Sequence, residues 1–188
     1  MNDLQRRHVM QFVGRAGLVL PYLVQGAWLS LSPAQALAQQ LPLTTLTAAQ
    51  GATLAALGEA LLPGAAAAGV AHFVDQQLGG SADDCLLMVR YFAVPLPYAA
   101  FYRAGLDAIE ALARQRHGRP FTECGAAEKS ALIAPLLGGR VEGWSGPPAP
   151  LFYLSLRSDA VDVVYGDPLG AKALALPYME HILPPRAW

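Results

Sequence analysis

The stretch Tyr98-Ala99-Ala100-Phe101-Tyr102-Arg103-Ala104-Gly105-Leu106-Asp107-Ala108-Ile109-Glu110-Ala111-Leu112-Ala113-Arg114-Gln115-Arg116-His117 decides the fold. Phe101, Gly105, Ile109, Leu112 and Ala113 recur at helical spacing on one face, so the stretch predicts an amphipathic helix. Gly118 is placed to end it. Arg114, Arg116 and Arg119 with His117 gather where that helix stops, a favourable position against its dipole. The chain's densest basic cluster is therefore read as a helix end and not as a nucleic-acid footprint, which needs a broad field of Lys and Arg.

The same logic extends to both sides. Residues 41–46 read as a short linker. Thr47-Ala48-Ala49-Gln50 has the spacing of a capping box, and Leu54, Leu57 and Leu61 follow at helical period until Pro63-Gly64 stops the run. Residues 64–69 are mostly alanine between two glycines and predict a loop. Val70, Phe73, Val74 and Leu78 predict a second short helix, ended by Gly79-Gly80. Ser81 or Asp83 can cap a third, carrying Leu86, Leu87, Tyr91 and Phe92, with Pro95 and Pro97 behind it.

Beyond the central helix, Phe121 predicts a packing anchor in a loop. Glu128, Lys129, Leu132, Ile133, Leu136 and Leu137 predict a short fifth helix before Gly138-Gly139. A Gly/Pro loop over residues 143–150 contains Trp144. Residues 151–165 then predict a helix that is apolar on more than one side, with Arg157, Ser158, Asp159 and Asp162 as its polar, solvated face. An irregular segment rich in Pro and aromatics runs from Gly166 to Trp188. No strand pattern or internal repeat stands out. The expectation is an all-α domain of about five to six helices.

The chain starts differently. Arg6-Arg7 precede an apolar, small-residue-rich run over residues 12–38 with Arg15 as its only charge. That combination looks like a twin-arginine (Tat) export signal, an address read by a receptor. Ala34-Gln35-Ala36 and Ala36-Leu37-Ala38 both offer small residues at the spacing a signal peptidase reads, and cleavage before Gln39 is favoured. Pro21, Gln25, Gly26 and Pro33 interrupt the run, which argues against a membrane span, although an uncleaved anchor over this region stays an alternative. The expected division is a signal segment over 1–38 and a helical domain over 39–188.

The composition supports a partner. Charged residues make up 14% of the 188-residue chain and apolar residues 54%, against about 25% and 45–50% in ordinary globular proteins. Of 13 basic and 14 acidic residues, Arg6, Arg7, Arg15 and Asp3 precede Gln39, so the remainder is net acidic and equally poor in charge. A large apolar surface held against another protein is the physical explanation; an alanine-rich sequence bias is the alternative.

No catalytic constellation appears. Cys85 and Cys124, the two cysteines, form no C-x-x-C; in an oxidising compartment they could pair with each other, pair with a partner chain, or stay reduced. His72, His117 and His181 are far apart and read as caps or core hydrogen-bonders, so no metal site is expected. Gly143-Trp144-Ser145-Gly146 lacks the spacing of a nucleophile elbow, and Gly138-Gly139-Arg140 is not a dinucleotide fingerprint.

Phe152-Tyr153-Leu154, the helix through Arg157-Ser158-Asp159, then Tyr165-Gly166-Asp167-Pro168-Leu169-Gly170 and the ending Pro177-Tyr178-Met179-Glu180-His181-Ile182-Leu183-Pro184-Pro185 resemble gluconate 2-dehydrogenase subunit 3. The Leu46-Thr47-Ala48-Ala49-Gln50 opening and the Arg119-Pro120-Phe121 passage are also similar to that family. The resemblance implies the small, non-catalytic subunit of a periplasmic dehydrogenase associated with the inner membrane. The large subunit would bind FAD and oxidise a sugar, sugar acid or other alcohol. Electrons would pass to a membrane-bound cytochrome c subunit, carrying haem c, and on to the quinone pool. The small subunit would contribute the Tat signal and stabilise the large one, with no cofactor or metal of its own. After Asp167-Pro168 the chain reads Leu169-Gly170-Ala171-Lys172, where the family often has Tyr-Gly-Gly-Asn, so a substrate does not carry over. The expected interface is Trp144, Phe152, Tyr153, Tyr165, Asp167, Pro168, Tyr178, His181 and Trp188; the alternative is that these aromatics close the core. Rival readings are a standalone hydrolase using Ser145 or Asp159 and a small-ligand binding module.

Overall fold

A computed structural model describes residues 18–166 of the chain, apart from residue 25. The twin arginines and Asp167, Pro168, Tyr178, His181 and Trp188 lie outside the described residues.

The helical expectation holds. Among the described residues there are six α-helices: α1 (Pro33–Ala38), α2 (Ala48–Leu61), α3 (Val70–Gly79), α4 (Tyr98–His117), α5 (Ala126–Gly138) and α6 (Ala149–Tyr165). Local chemistry accounts for most of their ends. Thr47 Oγ1 accepts the Gln50 N–H while Gln50 Oε1 accepts the Thr47 N–H, the reciprocal pair that starts α2. Gly118 closes α4 in the left-handed conformation at φ 69°, which a Cβ would disfavour. Glu128 reaches back to the Gly125 N–H at the start of α5 (2.8 Å).

Helix α4 packs against α2, α3, α5 and α6. Tyr102, Leu106, Ile109 and Leu112 of α4 are fully buried, together with Leu54 and Leu57 of α2, Phe73 of α3, Leu132 and Leu136 of α5, and Phe152 of α6. Phe121, the expected loop anchor, is also fully buried, and its N–H donates to Glu110 Oε2 of α4 (3.0 Å). Gly105 lets α6 approach closely: a Cβ there would lie 2.2 Å from the Phe152 ring.

Two expectations are corrected. The third helix is absent; residues 82–84 and 88–91 form single 3-10 turns with extended backbone at Cys85 and Leu87 between them. Burial alternates through this stretch, with Cys85, Leu87 and Val89 inside and Leu86 and Arg90 outside. A two-residue burial period belongs to extended chain and not to a helix. Ser81 does cap the first turn, accepting the Asp83 N–H.

The second correction concerns strands. Leu20–Val24 (β1) and Ala27–Leu31 (β2) form an antiparallel hairpin, with Val24 opposite Ala27 and Leu20 opposite Leu31. The connection is two residues long and Gly26 has φ 83°, the length and chemistry of a tight hairpin turn. Its inner face carries Leu20 and Tyr22, which pack on the core, and β1 and α1 both lie against α3.

Candidate functional site

Helix α6 buries Phe152, Ser155, Leu156, Asp159, Ala160 and Val163, a stripe at three- and four-residue spacing that passes through an aspartate. Asp159 is therefore not on the solvated face. Its Oδ2 accepts the Tyr102 hydroxyl of α4 (2.5 Å), and its Oδ1 accepts the Met88 N–H (3.1 Å). One carboxyl thus ties α6, α4 and the 3-10 turn at 88–91 together in the core. Burial pushes Asp159 up to about 7, opposed by the two hydrogen bonds and helped by the nearby Asp162. Burial and the Asp159 charge together hold the Tyr102 hydroxyl well above its ordinary range.

Chemically this cluster is closed. Asp159 has no exposed surface, so it can reach no substrate, and its role is to satisfy two buried donors. Ser145, the other residue a hydrolase reading would use, is exposed in the loop before α6 and has no base hydrogen-bonded to it among the described residues.

Titration of Asp159 has a measurable consequence. Its folded value of about 7 exceeds the ordinary 3.8, so between those limits the folded state keeps a proton that the unfolded chain has released. Stability from this group is complete below about pH 4, falls as pH rises, and levels off above about pH 7, a loss on the order of 4 kcal/mol. Asp159→Asn, which cannot ionise, is expected to abolish that slope. Urea unfolding at pH 5 and pH 7.5 checks it; equal slopes in wild type and variant would reject the assignment.

A second buried carboxylate shapes the linker. Asp75 of α3 accepts the N–H groups of Thr44 (2.8 Å), Thr45 (2.9 Å) and Leu46 (2.7 Å) and the Thr44 hydroxyl (3.2 Å). Arg103 of α4 donates to the Thr45 carbonyl oxygen, and His72 Nε2 lies 3.0 Å from the Leu41 carbonyl oxygen. The sequence reading placed Asp159 on a solvated face or in a hydrolase's reactive group, and it did not single out Asp75. The signal for Asp159 was available, since it falls seven residues after Phe152 in the buried register; Asp75 sits on a helix buried almost all round, where no register exposes it as unusual.

The basic cluster is consumed internally. Arg114 pairs with Glu110 (3.0 Å), Arg119 with Glu128 (2.5 Å) and His117 with Glu128 (3.5 Å), while Arg116 donates to the Glu142 carbonyl oxygen. The N–H of Gly125 and the Arg119 guanidinium hold Glu128 below the usual carboxylate range. Cys85 and Cys124 are both free and buried; desolvation raises both thiols, and Cys124 Sγ donates to the Pro120 carbonyl oxygen. Among the described residues no cluster of three or more His, Cys, Asp or Glu could hold a metal.

Four residues of the expected interface are described: Trp144, Phe152, Tyr153 and Tyr165. Phe152 lies wholly inside the core, between Phe101 (6.1 Å) and Trp144 (5.8 Å); the close approach of α4 at Gly105 puts it out of a partner's reach. Trp144 is half-buried and donates its indole N–H to the Pro147 carbonyl oxygen (2.6 Å). Tyr153 and Tyr165 are half-buried. The exposed large apolar side chains are elsewhere. Leu23 and Trp28 are a cross-strand pair on the outer face of the hairpin, Leu86, Tyr91 and Leu96 line the segment before α4, and Leu137 and Leu154 lie on α5 and α6. No Asp, Glu, Lys or Arg occurs from Ala16 to Gly58, so the hairpin, α1, the linker and most of α2 present no charge. A cleft of about 440 Å³ opens between α1, the linker and α2, lined by Leu37, Leu41, Leu43, Ala52, Ala55 and His72. Among the described residues no helix is long and apolar enough to cross a membrane.

The family model of gluconate 2-dehydrogenase subunit 3 matches residues 48–184. The chain belongs to the gluconate 2-dehydrogenase subunit 3 family. The match begins at the first residue of α2 and takes in every later helix. A subunit of this family belongs to a dehydrogenase complex, so other subunits are implied. No curated protein and no solved structure matches the chain.

Proposed function

We propose that this subunit 3 chain is non-catalytic, and that it supplies the twin-arginine signal for an FAD-dependent dehydrogenase large subunit and stabilises it. The large subunit oxidises a sugar, sugar acid or other alcohol in the periplasm. Its electrons pass to a membrane-bound cytochrome c subunit and the quinone pool, and the complex is held at the inner membrane. The observation that carries the reading is family membership across the whole domain from α2 onward. The exposed apolar side chains support it, because large obligate interfaces are apolar and poor in charge.

A pull-down from the native periplasmic and membrane fractions tests this. A yellow flavoprotein of much larger mass is expected to accompany the chain; its absence refutes the proposal. Replacing Arg6 and Arg7 by Lys should retain both proteins in the cytoplasm, and unchanged export would remove the Tat part.

The reading puts part of the grip on the exposed segment before α4. Tyr91 is 72% exposed, in the apolar segment between Leu86 and Leu96. Tyr91→Ser should leave stability within about 0.5 kcal/mol of wild type, as surface changes do, while weakening capture of the large subunit at least about tenfold. Binding titration against the purified flavoprotein checks it. Undiminished binding would move the interface away from this segment.

A further inference from the structure

We infer that residues 18–38 remain on the finished protein as a wall of its domain, and that the small-residue site before Gln39 is not cut once the chain has folded. The inference rests on the export reading for the enzyme concerned, and on geometry for the rest.

The segment is built in. Leu20 is 5% exposed and Ala36 0% exposed, and Pro33 is also buried. The Tyr22 hydroxyl donates to the His72 carbonyl oxygen (3.3 Å), and Gln76 Nε2 donates to the Pro21 carbonyl oxygen (3.4 Å), so β1 is fastened to α3 at two points. Burial raises the Tyr22 hydroxyl, with Asp75 adding to the effect. The loop before α3 is shaped to receive α1. Gly69 sits at φ 82°, and a Cβ there would come within 2.3 Å of the Pro33 carbonyl oxygen. Only a residue without a side chain permits that contact.

The cleavage site itself is folded. Ser32 Oγ accepts the Gln35 N–H (3.1 Å), and Gln35 Oε1 accepts the Ser32 N–H (2.8 Å), a complete capping box. The Leu41 N–H donates to the Ala36 carbonyl oxygen (3.0 Å), closing α1 from behind. A peptidase reads an extended strand and takes the two small side chains of the motif into pockets. Here Ala34, Ala36 and Ala38 are helical, and Ala36, shared by both candidate motifs, has no accessible surface. A passenger that folds before export brings this site to the peptidase already closed. Arg6 and Arg7, the address, precede the wall and need not be part of it.

The test uses the full-length gene in its native host. Intact mass and N-terminal sequencing of the chain purified with its complex should show residues 18–38 still attached; a chain beginning at Gln39 overturns the inference. Leu20→Ala, which empties a buried site, should lower the melting temperature of the purified protein by about 5–15 °C. Leu23→Ala, on the exposed strand face 60% accessible, should leave it unchanged. If the segment is removed on maturation, neither variant moves the midpoint, because neither residue is present. A chain that stays in the cytoplasm refutes export instead, and there the Leu20→Ala shift still decides whether the segment is a wall: a drop supports it and an unchanged midpoint overturns it.

Discussion

Asp75→Ala is expected to lower folding stability by about 4 kcal/mol, enough to unfold much of a marginally stable domain at physiological temperature. The carboxylate accepts four hydrogen bonds, three from consecutive backbone N–H groups at Thr44, Thr45 and Leu46. Each buried donor left without a partner costs about 1–3 kcal/mol. Water can reach Thr44 and Thr45 at the surface, so the full sum is not reached, but Leu46 is buried and its donor stays orphaned. The damage should also spread. The linker held by Asp75 carries Thr47, whose hydroxyl starts α2, so loss of the clamp frees the first turn of that helix. Asp75→Asn keeps one acceptor and turns an N–H toward the donors, so it should recover only a small part. Urea unfolding gives the number; a loss below about 1 kcal/mol would mean that water replaces the carboxylate at all four donors.

Gly105→Leu should be comparably damaging, at more than about 3 kcal/mol. Its Cβ would meet Phe152 Cε2 at 2.2 Å, Cδ2 at 2.3 Å and Cζ at 2.6 Å. The ring cannot retreat, because Phe101 and Trp144 flank it and no part of it is exposed. Gly105→Ala separates two opposing effects. Alanine gains about 1 kcal/mol of helix propensity over glycine, while overpacking costs about 1–3 kcal/mol. The contact is with a confined aromatic ring, so the steric effect should win and the variant should be net destabilised. Combining Gly105→Ala with Phe152→Leu, which shrinks the opposing side chain, should cost less than the sum of the single changes. Strict additivity would show that the two positions do not press on one another.

The helices were legible because their ends are written locally. Thr47 with Gln50, Gly118 after His117 and Gly139 after Gly138 each act on backbone groups within a turn of themselves, and the structure has α2, α4 and α5 where those signals put them. Segment 81–92 misled because its apolar residues also match a helical period over a short window. The structure resolves the ambiguity through Cys85, Leu87 and Val89, which alternate inward. The hairpin was missed for a different reason. Its turn chemistry is local and readable, but an uncharged apolar run after two arginines serves an address as well as it serves a strand.

Polar burial was the larger gap. Asp159 and Asp162 are the same residue type on one helix, yet one is sealed in the core and the other is exposed. The difference lies in Tyr102, 57 residues away, and in the Met88 N–H, 71 residues away. No property of residues 149–165 alone contains those partners.

What the sequence determined by itself is where α2, α4 and α5 begin or end, which apolar residues share a face of those helices, and that the charge-poor domain suits an assembly component. Those properties follow from spacing and from contacts within a few residues. Only the tertiary structure decided that Asp75 and Asp159 are internal clamps, that Phe152 belongs to the core, and that β1 and α1 pack against α3. Each of these depends on groups brought together from distant parts of the chain. Burial of a polar group is set by whether a partner meets it there, and that partner is chosen by packing.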